Sequence, residues 1–157
     1  MRILVDADGT NRIAPAIDIA KKYKIPIKLF CDCSHILHSN YAEIVYSDTA
    51  PESTDITLLN QCRKGDIIIT QDIGLAGIAL AKGAKVIHCS GRILDNKQID
   101  LALTHRAIKQ CIRRNTKHKA QSRKVTFGFE HQKYNFYQNL LQLVEQSRKD
   151  VTCHEME

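Results

Sequence analysis

Three aspartates stand where short apolar runs give way to polar residues and a fourth at the predicted start of a helix, and that placement is the first hint of chemistry. Asp6 and Asp8 follow ILV at 3–5, Asp72 follows DIIIT at 66–70, and Asp55 comes just after Ser53 and Thr54. Carboxylates brought together repel one another and raise each other's pKa, so a cluster of them costs stability unless a cation offsets the charge. A hard divalent ion, Mg2+ or Mn2+, takes oxygen ligands and keeps several waters. It is therefore suited to holding a phosphate oxygen while activating a water for attack. Phosphodiester hydrolysis is the matching reaction class, with Asp6, Asp55 and Asp72 as metal ligands and Asp8 as an accessory ligand or water-positioning group. Thr70, two residues before Asp72, shares a strand face with it and is placed to hydrogen-bond a carboxylate or a phosphate. Asp6, Asp55 and Asp72 also suit ordinary helix N-caps, and spacing alone leaves both readings open. Asp66, after Gly65, reads as a turn residue at the opposite strand end and is set aside.

For these acids to meet, their strands must run parallel, because an open parallel sheet gathers ligands beyond the carboxyl ends of its strands. The runs ILV at 3–5, IPIKLF at 25–30 and DIIIT at 66–70 alternate with stretches of helical period, the pattern of a parallel sheet with crossover helices. AKVIH at 84–88 supplies a fourth strand and EIVY at 43–46 a short fifth. Ile13, Ile17 and Ala20 recur at helical spacing before Pro26 closes that segment. A second helix is predicted to start at Ser53 or Thr54 as N-cap, turn Ile56, Leu59 and Cys62 inward, and stop at Gly65. Residues 73–82 read as a third helix ended by Gly83. Residues 96–114 read as a longer one with Ile99, Leu103, Ala107 and Cys111 on one face. A basic loop over 115–126, a last helix over 131–148 carrying Phe136, Leu140, Leu143 and Val144, and a frayed tail at 151–157 complete a single domain over 1–150.

At 157 residues the chain supports one sizeable core. No apolar run approaches the roughly 18–20 residues needed to cross a bilayer. MRILVDAD is not a secretory signal, so cytoplasmic residence is expected, with Cys31, Cys33, Cys62, Cys89, Cys111 and Cys153 reduced. The net charge of +6 is carried largely by residues 113–124. It suits a polyanionic partner such as nucleic acid, or equally a solvated basic loop. Phe127, Phe129, Tyr134 and Tyr137 either stack on bases or dock the last helix onto its domain.

Three smaller signals each admit two readings. Cys31, Cys33, His35 and His38 suggest zinc, but with one residue between the cysteines the spacing suits a loop overhanging the crevice better. Arg92, after Gly91, and Arg106, on the 96–114 helix, are candidate phosphate-binding groups or plain exposed arginines.

The segments MRILVDAD, SH at 34–35, STD at 53–55 and above all KGDIIITQDIGLAGIALAKGAKVIHCSG at 64–91 are similar to the YaiI/YqxD family of bacterial PIN-like proteins, over most of the chain to about residue 114. The resemblance implies a Rossmann-like three-layer α/β/α sandwich with a mostly parallel sheet. It puts Asp6, Asp8, Asp55 and Asp72 at the positions where PIN-like nucleases keep metal-binding acids, and it makes His35, in the SH pair, a candidate substrate contact. Relatives usually carry a Cys-Pro pair after DAD where this chain reads DADGTNR, and a glycine-proline segment before the last helix where it reads RKVTFGFEH at 123–131.

VDADGT also resembles the first motif of haloacid-dehalogenase-type phosphatases, with Asp6 as nucleophile and Asp8 as general acid/base. Such an enzyme needs a later lysine, Lys82 or Lys97, followed by an acidic pair, and Asp95 and Asp100 are isolated. The leading expectation is a divalent-metal-dependent nuclease acting on nucleic acid, with RNA the preferred class. The alternative is a non-catalytic PIN-like module that binds RNA.

Overall fold

The computed structural model describes residues 1–50, 52–115 and 134–154. Its strands are β1 (Ile3–Asp6), β2 (Ile27–Asp32), β3 (Glu43–Ser47), β4 (Ile67–Thr70), β5 (Lys85–His88) and β6 (Ile93–Leu94). Its helices are α1 (Ile13–Tyr23), α2 (Ser53–Gln61), α3 (Ile73–Ala81), α4 (Asn96–Asn115) and α5 (Phe136–His154). The six strands form one sheet in the order β3-β2-β1-β4-β5-β6, parallel throughout except for β6. β1 lies between β2 and β4 with Ile3 level with both Ile27 and Ile67, so the first and fourth strands end side by side. β1 and β4 are buried along their whole length, which is why they read as unbroken β-branched runs instead of alternating ones.

Alternation of side chains across β1 builds two cores. Ile3 and Val5 pack with Ala16, Ile19 and Ala20 of α1 and with Phe136, Leu140, Leu143 and Val144 of α5. Leu4 faces the other way, into a cluster with Leu58 of α2, Leu75, Ala76 and Ala79 of α3, and Ile99 of α4. Helices thus cover both faces, and the expected three-layer α/β/α sandwich is the observed fold. Among the described residues no helix is long and apolar enough to cross a membrane.

Several local expectations change. α2 begins at Ser53 itself, after Glu52 in the left-handed region at φ 63, and no side chain caps it. Thr54 instead shares a hydrogen bond with Ser47 at 2.7 Å. Leu58 is the buried residue of α2, with Cys62 buried at its C-cap and Leu59 packed partly against the same cluster as expected, while Ile56 is 55% exposed, because this start sets the helix phase against Phe30 and Ile68. α2 also ends before Gly65, which at φ 84 serves the turn into β4.

On α4, Ile99 is buried but Leu103 and Ala107 are exposed, since only the start of the helix reaches the α3 side of the core. β6 was not predicted: two residues are too few to show any periodicity. α5 starts at Phe136, later than residue 131, where Asn135 Oδ1 accepts a 3.2 Å bond from the Gln138 amide, and it continues to His154. Nearly all of the basic loop at 115–126, with Phe127 and Phe129, lies outside the described residues.

Candidate acidic site at the strand ends

The side-by-side ends of β1 and β4 create the centre of the site. Asp6, the last residue of β1, is 7% exposed, and the buried Thr70 at the end of β4 donates to its Oδ2 at 2.9 Å. The same Thr70 oxygen accepts the Asp72 amide at 3.0 Å, so one hydroxyl ties the β1 acid to the start of α3. Asp72 caps that helix, its Oδ1 accepting from Gly74 N at 2.6 Å and Leu75 N at 3.0 Å. Its Oδ2 makes no hydrogen bond among the described residues. Asp55 sits in the first turn of α2, and among the described residues its carboxylate makes none either. Of the three acids, then, only Asp72 is an N-cap; α1 and α2 are preceded by Arg12 and Glu52.

Charge and burial act together here. Burial pushes the Asp6 carboxyl above its ordinary value, the Thr70 and Gly9 hydrogen bonds pull it back, and the charges of Asp8 and Asp72 push it up again. Burial also raises Asp55, helped by the charges of Asp6, Asp72, Glu52 and Asp8. The charges of Asp8 and Asp72 thus reach Asp6, and those of Asp6, Asp8 and Asp72 reach Asp55, but the ligand atoms of Asp6, Asp55 and Asp72 do not all lie within 4.8 Å of one another. Gly9 closes over this group: a Cβ there would stand 2.8 Å from Asp6 Oδ2 and 3.2 Å from Gln71 Cγ. Gly9→Ala is expected to leave the fold intact, since Gly9 lies outside the left-handed region, but to displace the Asp6 carboxylate. If these acids hold a divalent ion, its affinity measured by calorimetry should fall about tenfold, and an unchanged affinity would show that the Asp6 carboxylate does not contribute to holding it.

Asp8 turns away from this centre. Its Oδ2 accepts the Asp32 amide at 2.8 Å and the Thr54 hydroxyl at 3.3 Å, and its Oδ1 lies 3.0 Å from His35 Nδ1. Asp32 Oδ1 lies 3.2 Å from the same nitrogen and accepts from the Ser34 amide at 2.8 Å and from the Ser34 hydroxyl. The Ser34 donors, with His35, hold the Asp32 carboxyl below the ordinary carboxylate value. Among the described residues, Asp8, Asp32 and His35 form the group of metal-ligating types whose ligand atoms all lie within 4.8 Å of one another. Asp32 escaped sequence reasoning, although its signal, an acid ending a strand, is the one that revealed Asp6. The neighbouring cysteines drew the reading toward zinc. Cys31 is fully buried, burial pushes its thiol up, and the assembled group takes His35 without either cysteine.

Among the candidate phosphate contacts, Arg92 lies in the β5–β6 connection, where its carbonyl accepts the His88 amide at 2.8 Å. Burial, then the charge of Arg92, lowers the His88 pKa. Arg106 is exposed on α4. Lys82 follows α3 at the end away from Asp72 and donates to the Leu59 carbonyl, so it is remote from the role a phosphatase would give it. Sequence reasoning also missed Arg12, whose Nε donates to the Cys89 carbonyl at 3.1 Å and whose guanidinium lies 5.8 Å from the centre of the Phe136 ring.

The family assignment rests on comparison with known sequences. A family model described as "Uncharacterized BCR, YaiI/YqxD family" matches residues 4–146. The chain belongs to the YaiI/YqxD family. The match runs well beyond residue 114 and takes in the greater part of α5. A UPF0178 protein of Clostridium tetani is 38% identical over 152 residues, covering 95% of this chain and all of the relative. One from Alkaliphilus oremlandii is 47% identical over 119 residues, 76% of each chain. One from Clostridium acetobutylicum is 41% identical over 114 residues, 73% of this chain and 77% of its own. No solved structure matches.

Proposed function

We propose that this YaiI/YqxD protein is a cytoplasmic Mg2+- or Mn2+-dependent phosphodiesterase that acts on nucleic acid, with RNA as the preferred class. The observation that supports this reading is that Asp6 and Thr70 end adjacent parallel strands with Asp72 tied to the same Thr70 hydroxyl, and that burial and the charges of neighbouring acids raise Asp6 and Asp55. The donor set fits a hard cation. It is all carboxylate oxygen, and Asp55 and Asp72 Oδ2 keep open acceptor positions. Asp6, Asp55 and Asp72 would hold the ion, which supplies charge neutralisation at phosphate and a more acidic bound water.

The chain's other residues orient this set. Thr70 fixes Asp6 relative to Asp72 through its two hydrogen bonds, and the α3 cap keeps Asp72 Oδ1 turned to the helix. His35, largely exposed beside Asp8 and Asp32, is placed to meet substrate and position water. The +6 net charge supports a polyanionic substrate.

Calorimetric titration of Mn2+ into wild type and Asp72→Asn tests the reading. Asparagine preserves the helix cap, so the fold should survive while one ligand charge is lost. Affinity is expected to fall at least about tenfold, and Mn2+-dependent cleavage of single-stranded RNA should fall with it. Equal titration curves and equal cleavage in the two proteins would sink the assignment.

A further inference from the structure

A cavity of about 400 Å³ is lined by Arg12, Pro15, Tyr134, Asn135, Phe136 and Tyr137. That volume falls within the range of small-ligand sites, roughly 300–1,000 Å³. Phe136 is buried and docks α5 as expected, whereas of the aromatics that the sequence left ambiguous Tyr137 is 39% exposed and Tyr134 is half-buried at the rim.

The wall is anchored. A Cβ on Gly91 would come within 2.7 Å of Phe136 N and 3.1 Å of Tyr134 Cβ, and Asn139 Nδ2 donates to the Gly91 carbonyl at 2.7 Å. Residues 134–136 are thus held tightly against the turn after β5. Arg12 supplies the charge. Its Nε is taken by the Cys89 carbonyl, while its two Nη groups make no hydrogen bond among the described residues. α1, which begins at the next residue, has no acid in its first turn, so the positive end of its dipole reinforces the guanidinium.

The cavity is also connected to the acids. Cys89 Sγ lies 3.9 Å from Gln71 Oε1, and Gln71 packs over Gly9, which covers Asp6. A cation and an exposed aromatic ring beside a carboxylate cluster match the repeating chemistry of a nucleotide strand, one phosphate and one base per unit.

We propose that this cavity is the subsite for one nucleotide of a single-stranded nucleic acid, its base stacked on Tyr137 at the Tyr134 rim and its phosphate held by Arg12. The proposal rests on the nucleic-acid reading of the acidic site and names its substrate class: unpaired strands, whose bases are free to stack.

Fluorescence anisotropy with a short labelled oligouridylate in EDTA tests it without cleavage. Tyr137→Ala is expected to weaken binding about tenfold, with Tyr137→Trp retaining it. Arg12→Gln should also weaken binding about tenfold and reduce the slope of log affinity against log salt by about one. An oligouridylate with abasic positions should bind more weakly than the intact strand, and inorganic polyphosphate should compete poorly.

Wild-type affinity in Tyr137→Ala would overturn the proposal, as would equal binding of abasic and intact strands. Tyr137 is exposed, so its variants stay folded even if Arg12→Gln does not. Asp72→Asn in EDTA should bind no more weakly than wild type. A wild type that binds in this Tyr137-dependent way but never cleaves would defeat the phosphodiesterase reading and leave the cavity assignment standing.

Discussion

Gly91→Ala is expected to destabilise the protein by about 3–5 kcal/mol, lowering the thermal midpoint by about 10 °C. Two separate effects add. At φ +96 an L side chain is strained, which costs about 1–2 kcal/mol. The new Cβ would also meet Phe136 N at 2.7 Å and Phe136 Cα at 2.8 Å, both backbone atoms that cannot swing aside. Relief requires α5 to lift from the turn, which strains the Asn139 bond to the Gly91 carbonyl and loosens Phe136 in the core. Gly65→Ala separates the effects. Its φ of +84 is similar, but nothing lies within 4 Å of its built Cβ, so about 1–2 kcal/mol is expected. Comparable losses in the two variants, measured by denaturant unfolding, would show that the close approach to α5 carries no energy.

Asp55→Asn is expected to move activity and stability in opposite directions. Mn2+-dependent cleavage should fall about a hundredfold or more with loss of a charged ligand. The metal-free protein should become more stable at neutral pH, because asparagine removes a carboxylate that burial and the charges of Asp6 and Asp72 disfavour. The sign follows from proton linkage. A carboxyl whose folded pKa lies above its unfolded value binds more protons when folded, so its contribution to stability declines as pH rises from 3.8 through the raised value, then stays constant. The advantage of Asp55→Asn should therefore be present near neutrality and vanish below the ordinary carboxylate range. Urea unfolding in EDTA across that range measures it. Saturating Mn2+ should stabilise wild type more than the variant. A variant less stable than wild type at neutral pH without metal would refute the account.

The parallel sheet was legible because β1 and β4 are buried on both faces and announce themselves as Ile/Val-rich runs. Asp6, Asp55 and Asp72 were legible because each stands at a strand end or in a helix's first turn. What escaped depends on register and packing. Asp32 matters because parallel pairing of β1 with β2 sets its amide beside Asp8, a contact between residues 24 positions apart. Local spacing carries no trace of that contact. In α2, Ile56 and Leu58 are both apolar, and the choice between them is made by where the left-handed Glu52 starts the helix. Arg12 gains its setting only from Cys89 and Phe136, which are distant in sequence and brought to it by the fold.

α5 contributes Phe136, Leu140, Leu143 and Val144 to the core that also holds Ile3, Val5, Ile67 and Ile69. The strands that carry the acids lean on a helix synthesised some sixty residues after the last acid, Asp72. During translation all six strands, and the four aspartates with them, are thus made before the helix that covers one face of the sheet. Contacts of such long sequence separation close late and slowly. Competence of the crevice is therefore tied to the completed polypeptide: a ribosome stalled before α5 would display the acids without the order that makes them a site.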